Sequence, residues 1–318
     1  MTVSPAVLVL TKQDDPQLRM LTGVPHTAGI TAEELRAAAK DAAVILHWSG
    51  SRAELRSVFL EAPKLRWVHS RAAGLDTMLF PELVASEVTL TNGSGVFSQS
   101  LGEFALAMVL YFAKDLSRTL RNQRAGRWEP FDVDEIAGQT MGIVGYGDIG
   151  RACARRAHAM GMHVLALKRH APDKPDPLID QFYRPGELAA MLAQCDYVVM
   201  SAPLTNETHH MISDAQFAAM KRSAVVINVG RGPVVDQAAL VRALEAGTIR
   251  GAGLDVFEKE PLPADDPLWK MDNVVISPHS ADHTRDWLDR AMSFFLLQYE
   301  RFTKGEPLEN VVDKKLGY

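Results

Sequence analysis

The sequence has 318 residues, 47% hydrophobic and 23% charged, with a formal net charge of -5. That length suggests two domains, and that composition supplies enough apolar surface for a core, which excludes a disordered chain. No basic excess exists to neutralise a nucleic-acid backbone, and two cysteines, Cys153 and Cys195, cannot build a disulfide framework, so a reducing compartment fits best.

The amino-terminal run ending in Val7-Leu8-Val9-Leu10 is short, lacks a basic leader and is followed by Lys12. It reads as a first buried strand and not as a signal peptide. No apolar stretch approaches the roughly 18 residues of a membrane span, so a soluble cytoplasmic protein is expected. Strands are predicted at 6–10, 44–48, 65–70 and 88–91, with helices at 32–40 and 52–60 between them. Ser51 and Glu54 stand at capping-box spacing before the second helix. The strands are continuous apolar runs, which indicates a parallel sheet covered on both faces.

A long helix is predicted over 99–123, with Leu101, Phe104, Ala105, Met108, Val109, Phe112 and Leu116 on one face and Leu106, Leu110 and Tyr111 on others, so that it is apolar all round. Such a helix is buried, at a domain or subunit interface or at the centre of one large domain. Polar residues from 118 to 134 read as a crossover loop. A second α/β series begins at Thr140, with strands at 141–144, 163–167, 197–200, 225–228, 253–256 and 274–277. Helices are predicted at 149–160, 187–194, 214–220 and 237–245, and a last one at 284–303.

The strongest local signal is Gly145-Tyr146-Gly147-Asp148-Ile149-Gly150, which follows an apolar strand and opens a helical pattern. In that context Gly145 permits the tight turn, Gly147 lets the backbone approach a pyrophosphate, and Gly150 allows close helix–strand packing. The helix amino terminus adds N–H donors and a positive dipole end. The next strand ends in Leu167-Lys168-Arg169-His170, with no carboxylate until Asp173. NAD sites usually carry Asp or Glu there, whereas two cations and a histidine suit the 2′-phosphate of NADP(H). NADP is therefore the expected cofactor, with NAD as the alternative.

Three further segments fall at carboxyl ends of predicted strands, where doubly wound sheets hold ligands: Asn228-Val229-Gly230-Arg231-Gly232, Asp255 through Pro261, and Ser277-Pro278-His279-Ser280-Ala281. An arginine, a carboxylate (Glu260) and a histidine arriving at one edge make a site for an anionic carbonyl compound. Protonated His279 is a suitable proton donor near neutral pH. Ionised Glu260, bonded to the ring, favours the imidazolium. Arg231 is permanently charged and can bind a carboxylate while polarising the carbonyl.

With these residues in place the sequence resembles the D-isomer-specific 2-hydroxyacid dehydrogenases, over nearly the whole chain. The matching pieces are 142–150, Ala202-Pro203-Leu204-Thr205 with Thr208, 228–232, 253–261 and 277–281. The cationic strand end and the stretch from Glu260 to Trp269 are most similar to the NADP-type glyoxylate/hydroxypyruvate reductase branch. The resemblance implies Arg231, Glu260 and His279 as the catalytic residues. It implies cofactor contacts from Gly145, Gly147, Asp148, Ile149, Gly150, Lys168, Arg169, His170, Ala202, Pro203, Thr208, Val229, Gly230, Arg231, Asp255, His279 and Ala281.

Substrate contacts are expected from Trp48, Arg71, Ala72, Ala73 and Gly74, together with Arg231 and His279. The small residues after Arg71 suit an anion-binding nest of backbone N–H groups. The expected fold is α/β, with two doubly wound parallel-sheet domains. A Rossmann cofactor domain (98–285) is inserted into a flavodoxin-like substrate domain (1–97 and 286–318). A homodimer, with the 99–123 helix in its interface, is implied as well.

His209-His210 are adjacent, and His279 and His283 stand four apart with no zinc pattern around them, so no metal is expected. Arg118, Arg121, Arg124 and Arg127 form a basic helical stripe, which reads as solvated or subunit-facing surface and not as a nucleic-acid site. The alternatives to a small-2-oxoacid reductase are a dehydrogenase of bulkier 2-oxoacids and a nucleotide-sensing, corepressor-like binding protein.

Overall fold

The computed structural model describes residues 4–76, 78–170 and 174–317. The chain divides into two compact units, one made of residues 1–97 and 285–318, the other of 98–284.

In the first unit, β1 (Val7–Leu10), β2 (His26–Gly29), β3 (Val44–His47), β4 (Trp67–Ser70) and β5 (Thr89–Thr91) form one parallel sheet in the order β2-β1-β3-β4-β5. This is the flavodoxin-like order. Helices α1 (Ala32–Ala39), α2 (Arg52–Leu60) and α3 (Pro81–Ala85) connect the strands. The predicted capping box starts α2: Ser51 Oγ accepts from Glu54 N, and Ser51 N donates to Glu54 Oε2 at 2.6 Å. β2 escaped the sequence reading because it is an edge strand, mostly exposed, with no apolar run.

The second unit opens with α4 (Ser98–Ala113) and α5 (Leu116–Arg124). The single helix expected over 99–123 is therefore corrected to two. Asp115 takes a left-handed conformation (φ 44°) and caps α5 by accepting from Arg118 N at 3.1 Å. A short acid favours the cap over the helix interior because its side chain competes for backbone donors. The expected crossover loop accordingly begins only after α5.

One face of α4 packs inside its own unit, while Phe104, Leu106, Leu110 and Tyr111 stay partly buried. A Cβ on Gly102 would lie 3.0 Å from the Ala152 backbone, and Met108 and Phe112 fill the space over Gly253 and Gly251.

Seven parallel strands follow: β6 (Thr140–Val144), β7 (His163–Leu167), β8 (Gln181–Tyr183), β9 (Tyr197–Met200), β10 (Val225–Asn228), β11 (Gly251–Leu254) and β12 (Val274–Ile276). Their order is β12-β11-β10-β9-β6-β7-β8. This is the Rossmann order, and its direction reverses between β6 and β9. The helices are α6 (Asp148–Ala159), α7 (Leu188–Leu192), α8 (Asp214–Ala219) and α9 (Gln237–Glu245). β8, a short edge strand, was not expected. The last helix, α10 (Trp287–Lys304), returns to the first unit and starts three residues later than the periodicity suggested. Among the described residues no helix is long and apolar enough to cross a membrane.

Candidate active site

The pyrophosphate-type turn lies between β6 and α6. Gly145 has φ 97°, and a Cβ there would come within 2.5 Å of Ala202 N and Cα. A Cβ on Gly150 would meet Gly145 O at 2.5 Å, so both positions exclude any larger residue. A Cβ on Gly147, by contrast, would meet nothing within 4 Å. Gly147 is the N-cap of α6 and gives it no side-chain cap. The first N–H groups of a twelve-residue helix thus receive no side-chain cap from this position, which fits a phosphate group. Asp148 and Ile149 begin this helix.

Ala202 and Pro203 follow β9, the strand on the other side of the order reversal. Thr208 is buried, and its hydroxyl donates to Pro203 O at 2.6 Å and accepts from Thr205 N at 2.8 Å. Its polar capacity is spent shaping this loop. Lys168, Arg169 and His170 emerge from β7, the first held by a Lys168 N to Tyr183 O bond of 3.0 Å, the second paired with Glu207. Asp173 lies outside the described residues.

Arg231, Glu260 and His279 follow β10, β11 and β12, three adjacent parallel strands, so all three leave the sheet at its carboxyl edge. The Arg231 loop is fixed from within: Asn228 Nδ2 donates to Arg231 O, Asn228 Oδ1 accepts from Gly230 N, and Val229 is buried. A Cβ on Gly232 would fall 1.9 Å from Phe257 C and O, so this backbone runs directly against the loop that carries Glu260.

Glu260 uses both oxygens. Oε1 accepts from Phe257 N at 3.0 Å, and Oε2 meets His279 Nδ1 at 2.7 Å. Both side chains remain accessible, 44% for His279 and 35% for Glu260. The ring therefore has one nitrogen held by a carboxylate and Nε2 left for a reactant. His279 itself sits at φ 51°, in the left-handed region that a non-glycine residue adopts only when its surroundings hold it there. The surroundings are visible: buried Asp255 accepts from both Ser280 N (2.9 Å) and Ala281 N (3.1 Å) through one oxygen. Sequence reading took Asp255 and Ala281 as cofactor contacts and missed that the buried Asp255 carboxylate holds this turn. Burial also pushes the neighbouring Asp282 carboxyl up, partly offset by the His283 and His279 rings.

The substrate-loop residues belong to the first unit. Trp48 is buried, and the Arg71 guanidinium lies over its ring at 5.2 Å and over Trp287 at 5.0 Å. Trp287 was absent from the sequence reading, since nothing in its spacing announces an arginine partner from a distant segment. The loop that follows is pinned by Asn92 Nδ2 to Ala73 O (2.7 Å) and Gly93 N to Ala72 O (3.2 Å). Gly74 completes it.

The model of the D-isomer-specific 2-hydroxyacid dehydrogenase NAD-binding domain matches residues 106–281. The chain belongs to the D-isomer-specific 2-hydroxyacid dehydrogenase family. Among its relatives, a glyoxylate reductase of Korarchaeum cryptofilum is 38% identical over 265 residues, covering 81% of this chain and 79% of that protein. A glyoxylate/hydroxypyruvate reductase B of Serratia proteamaculans is 39% identical over 262 residues, 80% and 79% of the two chains. A solved family member from Xanthobacter autotrophicus, in complex with NADPH and MES, superposes with a TM-score of 0.84 at 32% identity, covering 99% of this chain and 100% of that one. Burial pushes the Cys153 and Cys195 thiols up to about 12, which disfavours the thiolate at both.

Proposed function

We propose that this dehydrogenase reduces small 2-oxoacids, such as glyoxylate and hydroxypyruvate, with NADPH, and interconverts them with the D-2-hydroxyacids. The observation that carries the reading is the His279–Glu260 pair at 2.7 Å, on the same sheet edge as Arg231. The reductase activities of the relatives above support the substrate class, and the NADPH complex of the solved family member supports the cofactor.

A nicotinamide cofactor held by the glycine turn would supply the hydride for the carbonyl carbon. The other tasks fall to this chain. Protonated His279 donates its Nε2 proton to the carbonyl oxygen, while Glu260 orients the ring through Nδ1. Arg231 binds the substrate carboxylate. The unit of residues 98–284 is the cofactor domain. Gly145, Gly147, Asp148, Ile149 and Gly150 take the pyrophosphate, and Lys168, Arg169 and His170 the 2′-phosphate. Ala202, Pro203, Thr208, Val229, Gly230, Asp255 and Ala281 line the rest. The other unit is the substrate domain, with Trp48, Arg71, Ala72, Ala73 and Gly74 as its contacts.

A homodimer is part of the same reading: Leu116, Leu120 and Trp128, the last 98% exposed, put apolar surface on and after α5. Light scattering at the size of one chain would remove that part.

The test is the loss of reduced-nicotinamide absorbance on adding a panel of 2-oxoacids, with NADPH and NADH compared at matched concentrations. Turnover of glyoxylate or hydroxypyruvate with a higher kcat/KM for NADPH is expected. Silence across the panel would overturn the enzyme reading, faster turnover of branched or aromatic oxoacids the substrate class, and a preference for NADH the cofactor.

A further inference from the structure

Beyond the reductase site, the second unit brings together three side chains from segments far apart in sequence. His210 follows β9, Asp236 is the N-cap of α9, and Glu258 follows β11. One donor atom from each lies within 4.8 Å of the other two. His210 Nε2 is already 2.7 Å from Glu258 Oε1. The backbone holds the imidazole in place: His210 has φ 50°, its N–H donates to Pro233 O at 2.8 Å, and its ring stacks on His209 at 4.0 Å.

We propose that His210, Asp236 and Glu258 form a binding site for a divalent transition ion of the zinc class. Three arguments support it. The donor set is one imidazole and two carboxylates, a combination that suits zinc-like ions; magnesium and calcium favour oxygen-only shells. Metal–ligand bonds of about 2.1 Å place tetrahedral donors about 3.4 Å apart. The His210–Glu258 pair must then open by less than an ångström, a small adjustment for two exposed side chains, while half-buried Asp236, whose Oδ1 accepts from Ala239 N and whose Oδ2 accepts from Ser213 Oγ, offers a remaining lone pair. Two carboxylates against one imidazole also leave net negative charge wherever the ring is neutral, and a dication balances it. Water completes the shell on the solvent side.

The ion would tie together loops that matter to the reductase. Glu258 Oε1 accepts from Gln237 N, and Glu258 N donates to Gln237 Oε1, both at 3.1 Å. The residue before Glu258, Phe257, donates its N–H to Glu260. A bound cation thus clamps the start of α9 to the loop that presents Glu260.

The experiment is calorimetric titration of Zn2+ into the chelator-treated full-length protein, with Co2+ as a spectroscopic probe and Mg2+ as control. Saturable binding of one Zn2+ per chain is expected, with a visible Co2+ spectrum of low coordination number and a rise in Tm. His210→Ala should weaken binding at least about tenfold and abolish the Tm rise. Glu258→Gln, a near-isosteric surface change, should do the same and serves if the first variant folds poorly. Absence of Zn2+ binding to the wild type overturns the site. So does undiminished binding in a folded variant, which would place the ion elsewhere, for instance at His279 and Glu260. Equal affinity for Mg2+ would also overturn it, because the imidazole would then play no part.

Discussion

His69 and His279 each have an oxygen 2.7 Å from Nδ1, and they could hardly be more different chemically. His69, in β4 of the first unit, is 1% exposed, and burial pushes it down to about 3. Its partner is the neutral Thr91 hydroxyl, which also accepts from Trp67 Nε1 at 2.8 Å, and its ring packs against Phe294 and Phe295. That ring is locked neutral. His279, at the carboxyl edge of the second unit, is accessible and faces a carboxylate. A hydrogen-bond distance alone therefore does not make a proton carrier. The charge of the partner and the presence of solvent decide it.

The sharpest way to break the comparison is His279→Ala. If this ring is the proton donor, kcat for oxoacid reduction falls about 10²–10⁴-fold with the circular-dichroism spectrum unchanged. A variant turning over near the wild-type rate would put His279 in the same structural class as His69. Arg231→Ala comes next. Hydrogen bonds to charged groups contribute about 1.5–3 kcal/mol, so kcat/KM should drop roughly 10- to 100-fold, visible in both constants. An unchanged KM for the oxoacid would argue that the carboxylate binds elsewhere.

The smallest effect concerns His69 and is thermodynamic. Its folded-state value lies below its unfolded one near 6.5. The unfolded chain therefore binds the extra proton first, and stability is lost as pH falls below 6.5. One such group contributes a slope of up to about 1.4 kcal/mol per pH unit. Urea unfolding at pH 7.5, 6 and 5 should show this slope in the wild type and a shallower one in His69→Gln. Equal slopes would mean that the ring is not held neutral by its burial.

Much of the architecture was legible because it depends on local pattern. The buried strands announced themselves as apolar runs, the Ser51–Glu54 cap as a spacing, and the turn from Gly145 to Gly150 as glycines between a strand and a helix. Elements that failed did so for physical reasons. β2 and β8 are edge strands without an apolar signature, and Asp115 ends a helix through a left-handed backbone that periodicity does not register. At the site, Arg231, Glu260 and His279 could be named from their positions after strands. The buried Asp255 turn, the Arg71–Trp287 contact and the His210–Glu258 pair could not.

The order of residues by itself determined the parallel α/β class, the phosphate turn, the cationic end of β7 and which polar side chains would stand at strand ends, since each of these is written within a few consecutive positions. Tertiary structure alone decided which of them touch. Glu260 reaches His279 rather than another cation because β11 and β12 are neighbours in the sheet, and His279 can hold a left-handed backbone because one buried carboxylate gathers the two amides that follow it. Contacts between distant segments arise from strand order and burial, and neither is encoded in any short stretch of chain.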